Sequence, residues 1–340
     1  MVNNKMTVSI SDTNSHYTFE TGRVATPKGG YATHGVKPVI VSTNKHSVSL
    51  LKNQDLNITE YYLRSSQLFT ADGKKMTTAC AEIIDAGGCK QFFESEAEPC
   101  LSLIVNDRQC SGLSPELVSE ALDVLDIQSS TTFDEATYLN RPAWGARKIE
   151  ELRTKNEDLV HNNPNCEFRG IVKGSNIEQI QESIQDLEHL GTKHYIFHVG
   201  AYLATRRRYD IRKAIQFGTF IRSEVPELSV YGLGSRQSLD DFAFSDGAVT
   251  ANYIIETRNG KFTGKDGVPR SVKSGRNGKT PYYPVTDMDL EALRTYRRIE
   301  EDCRLAGLKY HEQFTYQDLY YNLDDEICSA KSSNTARGKC

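Results

Sequence analysis

Apolar positions along the chain cluster in short runs rich in β-branched and aromatic residues, most of them separated by stretches long enough for a helix. Eight such runs predict strands: KPVIVST (37–43), ITEYYLR (58–64), AEIID (81–85), SSTTFD (129–134), FRGIVKG (168–174), HYIFHVG (194–200), LSVYGLG (228–234) and VTANYIIE (249–256). Runs such as KPVIV and YIIE are continuously apolar instead of alternating, the pattern of parallel strands covered on both faces. Between them lie helical patterns with recognisable ends. Pro115 opens SPELVSEALDVL, Pro142 opens RPAWGARKIEELRTKNEDLV, and Gly191 closes NIEQIQESIQDLEHLG.

Alternating strands and helices predict an α/β fold, and eight parallel strands predict a (β/α)8 TIM barrel. A doubly wound sheet is the competing architecture, but no GxGxxG turn follows the first strand. After strand eight comes a Gly- and Lys-rich loop, RNGKFTGKDGVPRSVKSGRNGKTPYYPV, and then the helix MDLEALRTYRRIEEDCRLAG, expected to close the barrel. The resulting division is a barrel domain over 1–290, the closing helix and a C-terminal extension over 291–330, and a frayed tail over 331–340.

Composition narrows the class. The chain has 340 residues, 38% hydrophobic and 25% charged, which argues for a globular protein with a sizeable core and against disorder. No apolar run approaches the roughly 18 residues of a membrane span. The N-terminal segment has no apolar stretch behind a basic start, so a cytoplasmic location is expected. Eight cysteines (80, 89, 100, 110, 166, 303, 328 and 340) show no CxxC spacing, which fits reduced thiols better than a disulfide framework or a zinc knuckle.

In barrel enzymes the working residues stand where strands end, on the C-terminal face. Applied to the predicted strands, that rule selects Asp85 with Gly87 and Gly88 after strand three, and Asp134-Glu135 after strand four. It also selects Lys173-Gly174 after strand five, His198-Val199-Gly200 after strand six, and Gly232-Leu233-Gly234 after strand seven. Two Asp facing one pocket would raise each other's pKa, so that one serves as acid or base while the other binds substrate. Either Asp could equally cap the helix that follows.

The order and wording of these strand ends resemble the tRNA-guanine transglycosylases, the base-exchange enzymes of queuosine and archaeosine synthesis, over roughly residues 20 to 265. The family's DSGGFQ motif is similar to Asp85-Ala86-Gly87-Gly88-Cys89-Lys90-Gln91, its FDEC to Phe133-Asp134-Glu135-Ala136, and its GIVQGG to Gly170-Ile171-Val172-Lys173-Gly174. Its GGLSVGE turn is loosely echoed by His198-Val199-Gly200-Ala201, without the glutamate. Its MGVG strand is echoed by Tyr231-Gly232-Leu233-Gly234. The resemblance implies Asp85 as catalytic acid or base and Asp134 as holder of the purine edge. Lys173 stands where the family donates to the 6-oxo group, and Gly87, Gly88, Val199, Gly200 and Gly232 would line the base. A carboxylate can accept from both the N1–H and the exocyclic amine of guanine, which suits Asp134 to that task.

Two departures shape the expected function. The family nucleophile is an Asp near strand eight, and spacing places it at Ala251 or Asn252, although an amide cannot form the glycosyl ester. Either Asp246 takes that role, or Asp85 does, or the chain binds without exchange. The family's CxCxxC zinc cluster is also missing, so no structural zinc and no cofactor is expected. In its place residues 258–279 carry Arg258, Lys261, Lys265, Arg270, Lys273, Arg276 and Lys279 against Asp266 alone, a local charge of +6 within a chain whose net charge is −4. With Arg206, Arg207 and Arg208 after strand six, these would grip a phosphate backbone.

The resemblance thus implies a pentosyltransferase that flips guanine out of a polynucleotide and inserts a 7-deazaguanine such as preQ0, with DNA favoured over tRNA because the zinc subdomain is missing. A non-catalytic nucleic-acid-binding subunit of such an enzyme is one alternative, and a homodimer or a heteromer is compatible with either reading. A barrel hydrolase using Asp85 and Asp134 as a carboxylate pair is another.

Overall fold

A computed structural model describes residues 35–41, 49–53, 55–137, 139–203, 208–233, 235–258, 261–263, 269–271 and 285–313. Eight parallel strands close into a barrel in sequential order: β1 (Gly35–Ile40), β2 (Glu60–Arg64), β3 (Glu98–Ser102), β4 (Ser129–Thr131), β5 (Glu167–Val172), β6 (His194–His198), β7 (Glu227–Tyr231) and β8 (Gly247–Thr250). β8 pairs with β1 in register Gly247↔Gly35 through Thr250↔Pro38, which completes the closure. A short antiparallel hairpin, β9 (Lys261–Thr263) and β10 (Pro269–Ser271), follows. The (β/α)8 architecture expected from the hydrophobic pattern is the one observed.

The described helices are α1 (Ser65–Leu68), α2 (Thr78–Asp85), α3 (Cys89–Phe93), α4 (Asp107–Gly112), α5 (Pro115–Val124) and α6 (Pro142–Asn162). They continue with α7 (Ile177–His189), α8 (Gly200–Leu203), α9 (Arg208–Glu224), α10 (Arg236–Asp241), α11 (Asn252–Arg258) and α12 (Val285–Gln313). Those flanked by Pro or Asn in the sequence start where such residues place them. Ser114 accepts from the Leu117 amide ahead of Pro115, and Asn176 accepts from the Gln179 amide at the head of α7.

Strand three differs from its expected position. The run AEIID ends helix α2, which begins where the Thr77 hydroxyl accepts from the Cys80 amide; Cys80 and Ile83, three residues apart, face the core while Ile84 is exposed. The adjacent Ile83-Ile84 pair imitates a strand locally, but burial follows the helical period. The true third strand, EPCLS, carries Pro99, and a Pro within a short run argues against a strand in sequence alone. The eighth run is shorter than expected as well: Thr250 ends β8, and YIIE belongs to α11, with Tyr253 and Ile254 buried and Ile255 exposed.

Inside the barrel, Val39, Tyr62, Cys100, Ile171, Ile196 and Val249 form a central apolar layer. Outside, Val172, Phe197, Val230 and Ala248 pack with Ile180, Ile184 and Leu187 of α7 and Phe217 and Ile221 of α9. The strands are therefore covered on both faces. Helix α12 seals the seam: the Tyr296 hydroxyl donates to the Val36 carbonyl at 2.7 Å and its ring meets Tyr253 edge-on, while Tyr253 donates to the Val39 carbonyl at 3.1 Å. Residue 290 lies within this helix, so the sequence-based boundary there cuts through an element that packs on the barrel wall.

The end of the barrel where strands begin is built from ion pairs. Arg169 points inward, donates to Tyr62 Oη at 2.9 Å and to Glu60 Oε2 at 2.7 Å, and is ion-paired with Glu60 through its second nitrogen as well. His194 bridges Glu227 at 2.6 Å and Glu167 at 3.0 Å.

Candidate functional site

Asp134, Lys173 and His198 meet at the opposite end, where β4, β5 and β6 finish. The backbone bonds that extend β4 hold Asp134 there: the Thr132 amide donates to the Arg169 carbonyl at 3.0 Å, and Thr132 Oγ1 accepts from the Ile171 amide at 2.8 Å. The Phe133 amide donates to Asn156 Oδ1 of α6 at 2.9 Å. Lys173 is held through its amide, which donates to Ser183 Oγ of α7 at 3.1 Å. The Lys173 ammonium is ion-paired with Asp134 Oδ1, and His198 Nδ1 lies 2.8 Å from Asp134 Oδ2.

The Asp134 and Lys173 side chains are 4% and 8% exposed, and that of His198 is 23% exposed, so His198 is the member of the trio open to solvent. Burial pushes the Asp134 carboxyl upward, but the charges of Lys173 and His198 outweigh it and hold the group well below the usual carboxylate range. Asp134 is accordingly a buried, ionised acceptor at the C-terminal end of the barrel. Next to it, Glu135 turns outward to an ion pair with Lys148 at 2.7 Å.

Of the residues expected to line the base, Val199, Gly200 and Gly232 do sit at this end. The Val199 amide donates to the Tyr231 carbonyl at 3.1 Å, and the Gly232 amide to the Val249 carbonyl at 2.9 Å. A Cβ on Gly200 would come within 2.7 Å of His198 Nε2, so the glycine makes room for the imidazole. Asn252 is here too, at the head of α11, its amide donating to Thr250 Oγ1 at 3.0 Å.

Asp85, Gly87, Gly88 and Asp246 are at the wrong end for the roles the sequence suggested. Asp85 is exposed at the C-terminus of α2, which returns from the end of β2 toward the end where β3 begins. Gly87 and Gly88, at φ 94° and 107°, make the turn that a side chain would strain. That turn leads into α3, where the Cys89 amide faces the Leu125 carbonyl just ahead of β4 and Lys90 pairs with Glu98, the first residue of β3. Asp246 immediately precedes β8. Its Oδ1 accepts from Arg222 at 3.0 Å and its Oδ2 from the Leu228 amide at 2.7 Å, tying the starts of β7 and β8 together. Asp85 and Asp134 therefore cannot form a carboxylate pair, which removes the glycosidase-type arrangement.

Arg208 and Arg258 are exposed, at the start of α9 and the end of α11; Lys261 and Arg270 belong to the β9–β10 hairpin. Arg206, Arg207, Lys265, Lys273, Arg276 and Lys279 lie outside the described residues. Among the described residues, no cluster of three or more His, Cys, Asp or Glu side chains is arranged to hold a metal ion. No described helix is long and apolar enough to cross a membrane.

Three further polar residues share this end. Arg64 is the last residue of β2, Ser102 the last of β3 and Tyr231 the last of β7. Arg64 and Ser102 are register partners. Tyr231 packs edge-on against His198, with ring centroids 5.4 Å apart. Arg64 was open to the strand-end rule, since ITEYYLR ends on it; Ser102 was hidden by the misplacement of strand three. The chain matches no family model, and no curated protein is significantly similar to it.

Proposed function

We propose that the chain is a base-exchange barrel of the transglycosylase type, which takes a guanine from a polynucleotide, DNA in preference to tRNA, at the C-terminal end of the barrel. The observation that carries this reading is Asp134: a buried carboxylate, kept ionised, at the end of β4 where barrel chemistry is placed. Each carboxylate oxygen has two acceptor positions. Lys173 occupies one on Oδ1 and His198 one on Oδ2, which leaves one acceptor position on each oxygen for the N1–H and exocyclic amine of a flipped guanine. The Lys173 ammonium has three N–H donors and can offer another to the 6-oxo group. A 7-deazaguanine such as preQ0 presents the same edge and would enter the same site.

The second reading is a subunit that binds the base and the polynucleotide without forming a glycosyl-enzyme. It is favoured by the position of Asp85 and Asp246 at the far end of the barrel, which leaves Asn252 as the one expected catalytic residue at the same end as Asp134. An amide cannot supply the ester intermediate.

Incubating the purified chain with labelled guanine or preQ0 and either DNA or tRNA tests both. Exchange into DNA is expected, unaffected by Asp85→Ala and abolished by Asp134→Asn. Label in tRNA alone would reassign the substrate. Absence of label, with guanine still held in equilibrium dialysis and released about 10- to 100-fold more readily from Asp134→Asn, would select the binding subunit. A chain that neither exchanges nor holds guanine would sink both readings.

A further inference from the structure

Buried arginines elsewhere in the barrel are matched by carboxylates. Arg169 is engaged by Glu60 and Tyr62, and Arg222 by Asp246 and the carbonyls of Val225 and Pro226. Arg64 departs from this pattern. Alternation along β2 puts its half-buried side chain on the same inward face as Glu60 and Tyr62; its Nε, like those of Arg169 and Arg222, is buried without a hydrogen-bond partner, but unlike them it has no described carboxylate to pair with. Ser102, its register partner on β3, is fully buried, and its hydroxyl likewise completes no hydrogen bond of ordinary geometry. The Tyr231 hydroxyl lies beside them. Burial raises its pKa, against which the neighbouring Ser102 and the Arg64 charge pull downward, so the phenol stays protonated and can donate.

A half-buried guanidinium with no counter-ion, its Nε shielded and unpartnered, carries a desolvation cost, and a buried hydroxyl without a partner adds to it. Asp134, the buried carboxylate at this end, is already committed to Lys173 and His198. What is missing beside Arg64 is therefore an anion with several acceptor oxygens, to be met by a planar guanidinium fork and two hydroxyl donors. A phosphate group has that chemistry.

We propose that Arg64, Ser102 and Tyr231 form a phosphate subsite at the ends of β2, β3 and β7, holding the phosphate of the nucleotide whose base Asp134 receives. The pairing of the two subsites rests on the base-binding reading above; the phosphate subsite does not.

Calorimetric titration of guanosine monophosphate, guanosine and inorganic phosphate into the full chain separates the two. Guanosine monophosphate is expected to bind at least tenfold more tightly than guanosine. Arg64→Gln should bring it down to the guanosine level while leaving guanosine itself unchanged. Ser102→Ala, a smaller change, should weaken the monophosphate severalfold and leave guanosine alone, and thermal unfolding of each variant checks that it folds. Equal binding of the monophosphate and guanosine by the unaltered chain would overturn the subsite, as would loss of both ligands in parallel in a folded Arg64→Gln. If guanosine fails to bind but inorganic phosphate binds and is lost in Arg64→Gln, the phosphate subsite stands and the base-binding reading falls.

Discussion

Charged residues inside this barrel follow two different rules, and position along the strand decides which applies. At the end where strands begin, each described inward or bridging charge is compensated by a neighbour: Arg169 by Glu60, Arg222 by Asp246, His194 by Glu167 and Glu227. At the other end, Asp134 is shared between Lys173 and His198, and Arg64 has no counter-ion among the described residues. Compensated groups stabilise the fold, and their titration shows in its pH dependence. The hydrogen bond from His194 to Glu227 raises the imidazole pKa above its ordinary 6.5, with burial acting in the opposite direction. A raised folded pKa means that the contribution is complete below 6.5 and fades as pH rises through the folded value. Urea denaturation of the unaltered chain and of His194→Gln should therefore show a stability gap that is full below about pH 6.5 and narrows as pH rises above it. A gap that widens with pH would contradict the assignment. Most of the residues at the C-terminal end were within reach of sequence reasoning, because Asp134, Lys173, His198 and Arg64 all close apolar runs. That they touch, and which pairs with which, was not.

Elements of this chain were legible where local pattern and tertiary burial agree. Runs such as HYIFH and FRGIV are buried on both faces and form β6 and β5 as their composition suggests. AEIID and YIIE failed because adjacent β-branched residues read as strand while the fold buries only part of each run, at helical spacing. EPCLS failed for the opposite reason, since Pro99 disguised a strand that its neighbours β2 and β4 hold in register. The closing helix was expected from the run MDLEALRTYRRIEEDCRLAG after the Gly- and Lys-rich loop, and its attachment is testable. Tyr296→Phe keeps the ring against Tyr253 but removes the hydroxyl from the Val36 carbonyl, and should cost about 1 kcal/mol in denaturant unfolding. A loss near zero would mean that ring packing alone holds α12 to β1.

At the scale of the whole molecule the two ends of the barrel differ in how their charges are matched, and in parallel barrels generally the end where strands begin serves stability and the other end serves function. Asp246 and Asp134 make that division measurable. Removing one partner of a buried ion pair leaves the other uncompensated, so Asp246→Ala should lower unfolding free energy by about 3–5 kcal/mol while guanine affinity stays within twofold. Loss of guanine binding in a folded Asp246→Ala would place that residue in the site after all. The sequence by itself determined the alternation of strands and helices, the closed parallel barrel, and the strand ends that carry Asp134, Lys173 and His198, because burial on two faces and strand termination leave marks within a few residues. Only the tertiary structure decided that Asp85 and Asp246 stand apart from Asp134, and that Arg64 meets Ser102. Which end of the barrel a residue occupies depends on whether its segment runs with the strands or returns against them, and a run of ten residues does not encode that direction.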